Sequence, residues 1–436
     1  MEVLKRLVKR NDILRVLKIK SFSLMMLSEF FSQLAFNMQH FVLIFIIYGL
    51  TRSNTAVSGM ILSFMVPAVL FSVITGVYVD RWNKKKILLY THIIRSVLIL
   101  PFLFSDLHLG FIYILTFLIA VATQFFIPAE SAIIPQLVPR KLIVSANAVF
   151  AFGLYGSTFL GYILSGPILL LLGQTSTIIF LVALFVVSAF FVAMMKFEDK
   201  KKKVLSDDSN RQLSNNPFSI AKEASEIFHF IRKARKVMHA LFMLTIAQAV
   251  IFMFAVLTPG YVTTILEEPL ESLSLILIAP AGLGLGLGAI ILGSMGKRIK
   301  NKWVSAVGFM IVGIVFVILP LAGRFASYGF IHGLNNFLPQ ILDINILHVI
   351  VVLAFIIGFS ISLVFIPSNA TIQIETNEEM RGRMYGLLSS LIGAVSFLPV
   401  VLAGGLADLI GVGAVITGVG ALMIILSIFY LFLIKF

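Results

Sequence analysis

Apolar residues in this chain gather into twelve long runs, at about 22–50, 55–79, 86–105, 109–129, 143–172, 175–196, 239–265, 272–296, 303–323, 344–374, 384–410 and 412–434. Each reaches the roughly 20 residues that carry an α-helix across a bilayer. Hydrocarbon offers no partner to a backbone N–H or C=O, so the runs are predicted to be helices throughout. The polar stretches between them are sorted by charge. Taken alternately from the N-terminus, segments on one side hold 31 of the 34 Lys and Arg, and those on the other only Arg52 and Arg324. The remaining cation, Arg95, falls inside a run. Basic loops stay on the cytoplasmic side, so the pattern predicts a multi-pass cell-membrane protein with both termini cytoplasmic. One missed or extra crossing would mix the two sides, so the charge pattern also tests the count.

Composition agrees. Hydrophobic residues make up 59% of the 436 and charged residues 12%, about half the charged share of a soluble domain. The net charge of +14 follows from the basic loops and points to membrane lipids rather than nucleic acid. With no cysteine, a disulfide framework, a thiolate metal site and a catalytic thiol are excluded. The first run is too long for a signal-peptide core and lacks a cleavage site, so it reads as a retained span.

The longest polar stretch begins with a flexible linker at 198–217. It continues with Ile220, Ala224, Ile227, Phe228 and Ile231 on one helical stripe, the pattern of an amphipathic helix on a membrane surface. Residues 1–20 look similar. The chain therefore divides into an amphipathic segment at 1–20, a six-helix bundle at 21–197, a linker with its helix at 198–238, and a second six-helix bundle at 239–436. The halves are copies. Phe126-Ile127-Pro128-Ala129-Glu130 returns as Phe365-Ile366-Pro367-Ser368-Asn369, and Gly76-x-x-x-Asp80-Arg81 as Gly293-x-x-x-Lys297-Arg298. Two parallel repeats around a midplane site suit alternating access by rocking.

The loop Gly76-Val77-Tyr78-Val79-Asp80-Arg81-Trp82-Asn83-Lys84-Lys85-Lys86 joins the second and third runs. With the twelve spans and the repeat, it resembles the corresponding loop of major facilitator superfamily transporters. Tyr48-Gly49-Leu50-Thr51, Pro67, Ile134-Pro135-Gln136-Leu137-Val138-Pro139 and Arg381-Gly382-Arg383-Met384 are similar to its macrolide-efflux-like drug:proton antiporters. The resemblance implies an all-α membrane fold of two parallel six-helix repeats. It also implies a secondary active transporter that exports amphipathic, drug-like molecules in exchange for protons. The expected partners are a small-molecule substrate, protons and lipids, with no cofactor, no metal and a monomeric chain. A lipid or siderophore exporter, or a transport-inactive sensor or scaffold, are the alternatives. An intramembrane enzyme would need a nucleophile–base pair or an H-E-x-x-H cluster, and the sequence has neither.

Chemistry is concentrated in a few positions. Glu29, Gln33, Asn37 and His40 share one face of span 1, and a carboxylate so deep is costly unless it has water, a partner or a substrate. Glu29 is expected either to titrate in the substrate cavity or to pair with Arg95 as a structural gate; His92 lies one turn before Arg95. Gln124, Asn147, Tyr155, Gln248 and Ser389 are further cavity candidates. Gly282, Gly284, Gly286 and Gly288 form two overlapping G-x-x-x-G pairs, predicted to be a close-packing face. The resemblance implies a gate in which Asp80 caps the inner start of span 11 near Arg381, Arg383 and Met384. Arg81 or Lys84 would then meet Glu130, with Gly76 preceding the loop.

Overall fold

The structure, a computed structural model, describes residues 12–104, 108–197, 234–295, 301–325, 345–376 and 378–433. Every regular element among them is helical. In chain order, span 1 is Lys20–Thr51, span 2 Asn54–Arg81, span 3 Lys84–Ile99 and span 4 Leu109–Leu137. Span 7 is Arg235–Gly260, span 8 Ala279–Met295, span 9 Asn301–Phe325 and span 10 Ile346–Glu375. Span 11 is Glu378–Ile410 and span 12 Val412–Leu433. Between spans 4 and 7 lies Ile143–Met194, a single helical stretch of 52 residues. At 1.5 Å per residue it would extend about 78 Å, more than twice the ~30 Å of hydrocarbon. Gly173 breaks it at φ 73° and ψ 173°, a backbone that glycine adopts without a steric penalty. The stretch is spans 5 and 6, and with it the eleven membrane-length helical stretches make twelve crossings.

Two boundaries move from their predicted places. Span 4 passes through Pro128 and Pro135 to Leu137, where the sequence pattern ends it at 129. Span 11 begins at Glu378 rather than 384. In hydrocarbon, a broken helix leaves backbone groups with nothing to bond, so helices run on past a proline. Buried hydroxyls follow the same rule: Thr116, Thr123, Ser165 and Ser188 each donate to the carbonyl four residues back. Asn83 stands where the superfamily loop has glycine; its side chain accepts from Lys86 N at 3.1 Å and starts span 3 as an N-cap. In the amphipathic N-terminal segment, Asp12–Leu17 is a helix with Val16 buried and Ile13, Leu14 and Leu17 exposed. The remainder of that segment and the amphipathic helix of the linker lie outside the described residues.

The chain forms two compact units, Met1–Leu43 with Ser63–Gln212, and Ile44–Leu62 with Leu213–Phe436. The first has a core of Phe22, Met25, Ile87, Phe126, Ile133 and Val192, and the second one of Val237, Leu241, Ile372, Met384 and Leu388. The last turns of span 1 and the first of span 2 thus belong with the second repeat.

Small residues set the helix spacing in the second unit. A Cβ on Gly284 would strike the Phe355 carbonyl, and one on Gly288 would strike Ser362. Gly358 faces the Ala281 carbonyl just as closely. Gly286 has nothing within 4 Å, so one of the two predicted glycine pairs makes the interface between spans 8 and 10. Gly284→Ala should therefore lower the midpoint of thermal unfolding in detergent, at a cost of about 1–3 kcal/mol. Gly286→Ala should leave it unchanged or raise it slightly; equal losses in both would contradict the assignment of faces.

Candidate functional site

The polar face of span 1 lies inside the first unit. Glu29 is 1% exposed and Asn37 is buried, while Gln33 and His40 are half-buried. Span 5 approaches closely because Gly161 has no side chain: a Cβ there would lie 2.9 Å from the Leu34 carbonyl. Asn37 bridges the two helices, its Nδ2 donating to the Gln33 carbonyl at 2.7 Å and to Thr158 Oγ1 at 3.2 Å. His40 stands edge-on to Phe36 and Phe64, with ring centroids 4.4 and 4.1 Å away.

Arg95 is fully buried, and aromatic rings surround it. Its guanidinium carbon lies 4.6 Å from the centroid of Phe126, 5.5 Å from Phe36 and 5.8 Å from Phe185. Nη1 reaches Ser32 Oγ at 3.4 Å, and Nε has no hydrogen-bond partner. The faces of the rings attract the cation, most strongly where water is excluded. One turn earlier, His92 Nε2 lies 3.2 Å from Ser28 Oγ, whose hydroxyl donates to the Ser188 carbonyl at 2.9 Å. With that proton committed, Nε2 must be the donor to Ser28, which leaves Nδ1 as a buried acceptor with no partner.

Glu130 completes the cluster. Because span 4 continues to Leu137, Glu130 lies inside the helix rather than at its end, and it is 5% exposed. Its carboxyl lies against that of Glu29, with the charge of Arg95 acting on both. Arg81 is exposed and Lys84 is buried. The expected Glu29–Arg95 ion pair is replaced. Among the described residues no acid oxygen lies within 4.0 Å of the guanidinium, so the three groups interact at longer range. Neither oxygen of Glu29 receives a well-formed hydrogen bond, although Gln33 and Glu130 lie alongside. Two carboxyls in contact need a proton between them to form a hydrogen bond. With Arg95 positive, the cluster is neutral when the acids share one proton and carries one negative charge when they share none.

Among the described residues the second unit buries no such charge. Asn369 occupies the repeat position of Glu130, and its Oδ1 accepts from Tyr385 Oη at 3.2 Å, while Gln373 Nε2 donates to the same hydroxyl at 3.3 Å. Of the other candidates, Gln124 is half-buried and Asn147 exposed in the first unit, and Tyr155 is 71% exposed. Gln248 is half-buried in the second unit. The Ser389 hydroxyl donates to the Tyr385 carbonyl. The side chains of Asp80, Arg381 and Arg383, together with Gly76, lie outside the described residues. Two features escaped the sequence reading: the ring cage around Arg95 and the position of Glu130. The Phe126 to Glu130 motif, with its neutral copy in the second half, was the signal for both.

Comparison with known proteins places this geometry among transporters. A family model described as Major Facilitator Superfamily matches residues 25–342. The MFS-type transporter YvqJ of Bacillus subtilis (strain 168) is 25% identical over 401 residues, 89% of this chain and 86% of that protein. Macrolide efflux protein A of Streptococcus pyogenes is 24% identical over 396 residues, 88% of this chain and 89% of that protein. Among solved structures, the nucleoside transporter NupG superposes with a TM-score of 0.68 at 12% identity, covering 96% of this chain and all of that one. A POT family transporter in complex with 5-aminolevulinic acid gives 0.68 at 12% identity over 94% and 95% of the two chains.

The cluster can be tested through stability. Removing one member of a buried charged set leaves an uncompensated charge at a cost of about 3–5 kcal/mol. Arg95→Met should therefore destabilise strongly, and adding Glu29→Gln should recover part of the loss. A thermal-unfolding double-mutant cycle should give a coupling of about 0.5–3 kcal/mol; simple additivity would show that the groups do not interact.

Proposed function

The chain belongs to the Major Facilitator Superfamily, and from that premise we propose that it is a secondary active exporter of amphipathic, drug-like molecules. It would work by alternating access and exchange its substrate for protons across the cell membrane. The observation that carries this reading is the pair of buried carboxyls, Glu29 and Glu130, facing each other beside a single ring-caged arginine.

Charge balance supplies the mechanism. A proton shared by the two acids keeps the cluster neutral. Its departure leaves one unbalanced negative charge in a dry setting, where charge is expensive. A cationic substrate arriving near span 1 would offset that charge, so proton and substrate occupy the site alternately. The half-buried Gln33, Phe36 and His40 give that wall an amphipathic character, with aromatic surface beside hydrogen-bonding groups. Exchange then moves one cation inward for each cation outward at the site. The name of the relative macrolide efflux protein A supports both the export direction and a bulky amine as the trial substrate. The distribution of basic loops supports an orientation with both termini in the cytoplasm.

Inside-out vesicles with an acidic lumen test the reading, with a radiolabelled macrolide as the probe. The unmodified protein should accumulate it, and Glu29→Gln and Glu130→Gln should each reduce gradient-driven accumulation by about tenfold or more. Both variants should retain substrate–substrate exchange, because they keep a neutral cluster and so mimic its proton-loaded state. Gradient-driven accumulation that survives both substitutions at the normal rate would refute proton coupling through this pair.

A further inference from the structure

The carboxylate of Asp408, in the last turn of span 11, accepts five hydrogen bonds from the first residues of span 2. Oδ1 receives Asn54 N at 2.8 Å and Asn54 Nδ2 at 3.0 Å. Oδ2 receives Ser53 Oγ at 2.6 Å, Thr55 Oγ1 at 2.7 Å and Thr55 N at 3.0 Å. We propose that Asp408 is a latch: it holds span 2 against span 11 at the face opposite the lysine-rich loops, and that face opens only when the contact breaks.

Three observations support a latch over an ordinary surface contact. The first is chemical. The free N–H groups and the positive dipole end of a helix attract an anion, and here the anion comes from a helix more than three hundred residues away in sequence. Span 2 already has a local cap, since Ser53 Oγ accepts Ala56 N at 3.2 Å. Asp408 is thus not required to start the helix. Its effect is to hold spans 2 and 11 together.

The second is packing. Just below the carboxylate, a Cβ on Gly404 would come within 2.7 Å of the Asn54 carbonyl, and Ser58 Oγ donates to the Val400 carbonyl at 2.9 Å. Span 7 closes the seam from the other side: a Cβ on Gly260 would lie 2.8 Å from Asn54 Oδ1. Tyr48 and Thr263 hydroxyls meet at 3.1 Å.

The third is the division of the chain. Ile44–Leu62 belongs to the same compact unit as span 11, whereas the rest of spans 1 and 2 belongs to the other. The Asp408 contact is thus one of those that tie the ends of spans 1 and 2 to span 11 inside the second unit, and under the latch its loss frees Ile44–Leu62 from that unit. The carboxylate is also exposed, so water can replace its donors as they leave. A contact that is strong when formed and rehydrated when broken suits a two-state element.

The chain has no cysteine, so a reporter pair can be introduced without background. Spin labels at Leu50→Cys and Leu409→Cys, both exposed positions, report the separation of spans 1 and 11 by electron double resonance in nanodiscs. Asp408→Asn replaces one acceptor oxygen with a donor facing other donors. It should raise the ratio of long to short distances by about tenfold, with Asp408→Glu intermediate. Thr55→Val removes a single donor and should shift the ratio the same way by less. An unchanged distance distribution in a folded Asp408→Asn protein would overturn the latch. If that variant does not fold, an unchanged distribution in Thr55→Val would do so. The measurement needs neither substrate nor proton gradient, so its outcome is independent of the exchange mechanism.

Discussion

Hydrocarbon supplies no hydrogen-bond partner, and most of the structure follows from that fact. It makes every crossing a helix, carries helices through Pro128 and Pro135 instead of ending them, and turns hydroxyls back onto their own backbone. It also makes a buried ionisable group informative. A soluble protein can leave a stray carboxylate facing water, but here each one needs a cation, a proton or a substrate nearby. Glu29, Glu130 and Arg95 are three such groups gathered in one place, and the number of protons they hold fixes their joint charge.

The duplication isolates that chemistry. Both halves carry the Phe-Ile-Pro motif, yet the following polar residue is Glu130 in one and Asn369 in the other. The asparagine is satisfied by Tyr385 and carries no charge. In the proposed exchange one repeat gains and loses a charge, while its sibling holds a neutral network at the same place. This asymmetry suits a machine in which a single site takes either a proton or a substrate.

Asp408 shows the same principle at the membrane boundary, where water changes the balance. Five donors converge on one carboxylate, but the group stays exposed and can be rehydrated. The buried cluster keeps its members together because separating them leaves charge in a dry interior. The boundary contact can come and go. In the two proposals, depth in the membrane separates the site that stores charge from the one that gates.

How much of this was legible in the sequence depends on the range of the interaction. The twelve crossings follow from run lengths and the repeat from matching motifs, local quantities that lipid translates directly into helices. The polar face of span 1 was equally legible, since helical periodicity alone aligns Glu29 with His40. Contacts across helices were not. The sequence pattern placed Glu130 at a helix end because the apolar run stops at 129, and it paired Arg95 with an acid because an unpaired cation is costly. The structure instead surrounds Arg95 with Phe36, Phe126 and Phe185 and brings Glu130 to Glu29. Asp408 was one more acid at the end of a span until folding brought it to Asn54. Sequence determined which segments enter the membrane and which faces they present. Only the tertiary structure decided which buried charges meet, because that depends on how closely residues such as Gly161 and Gly404 let the helices approach.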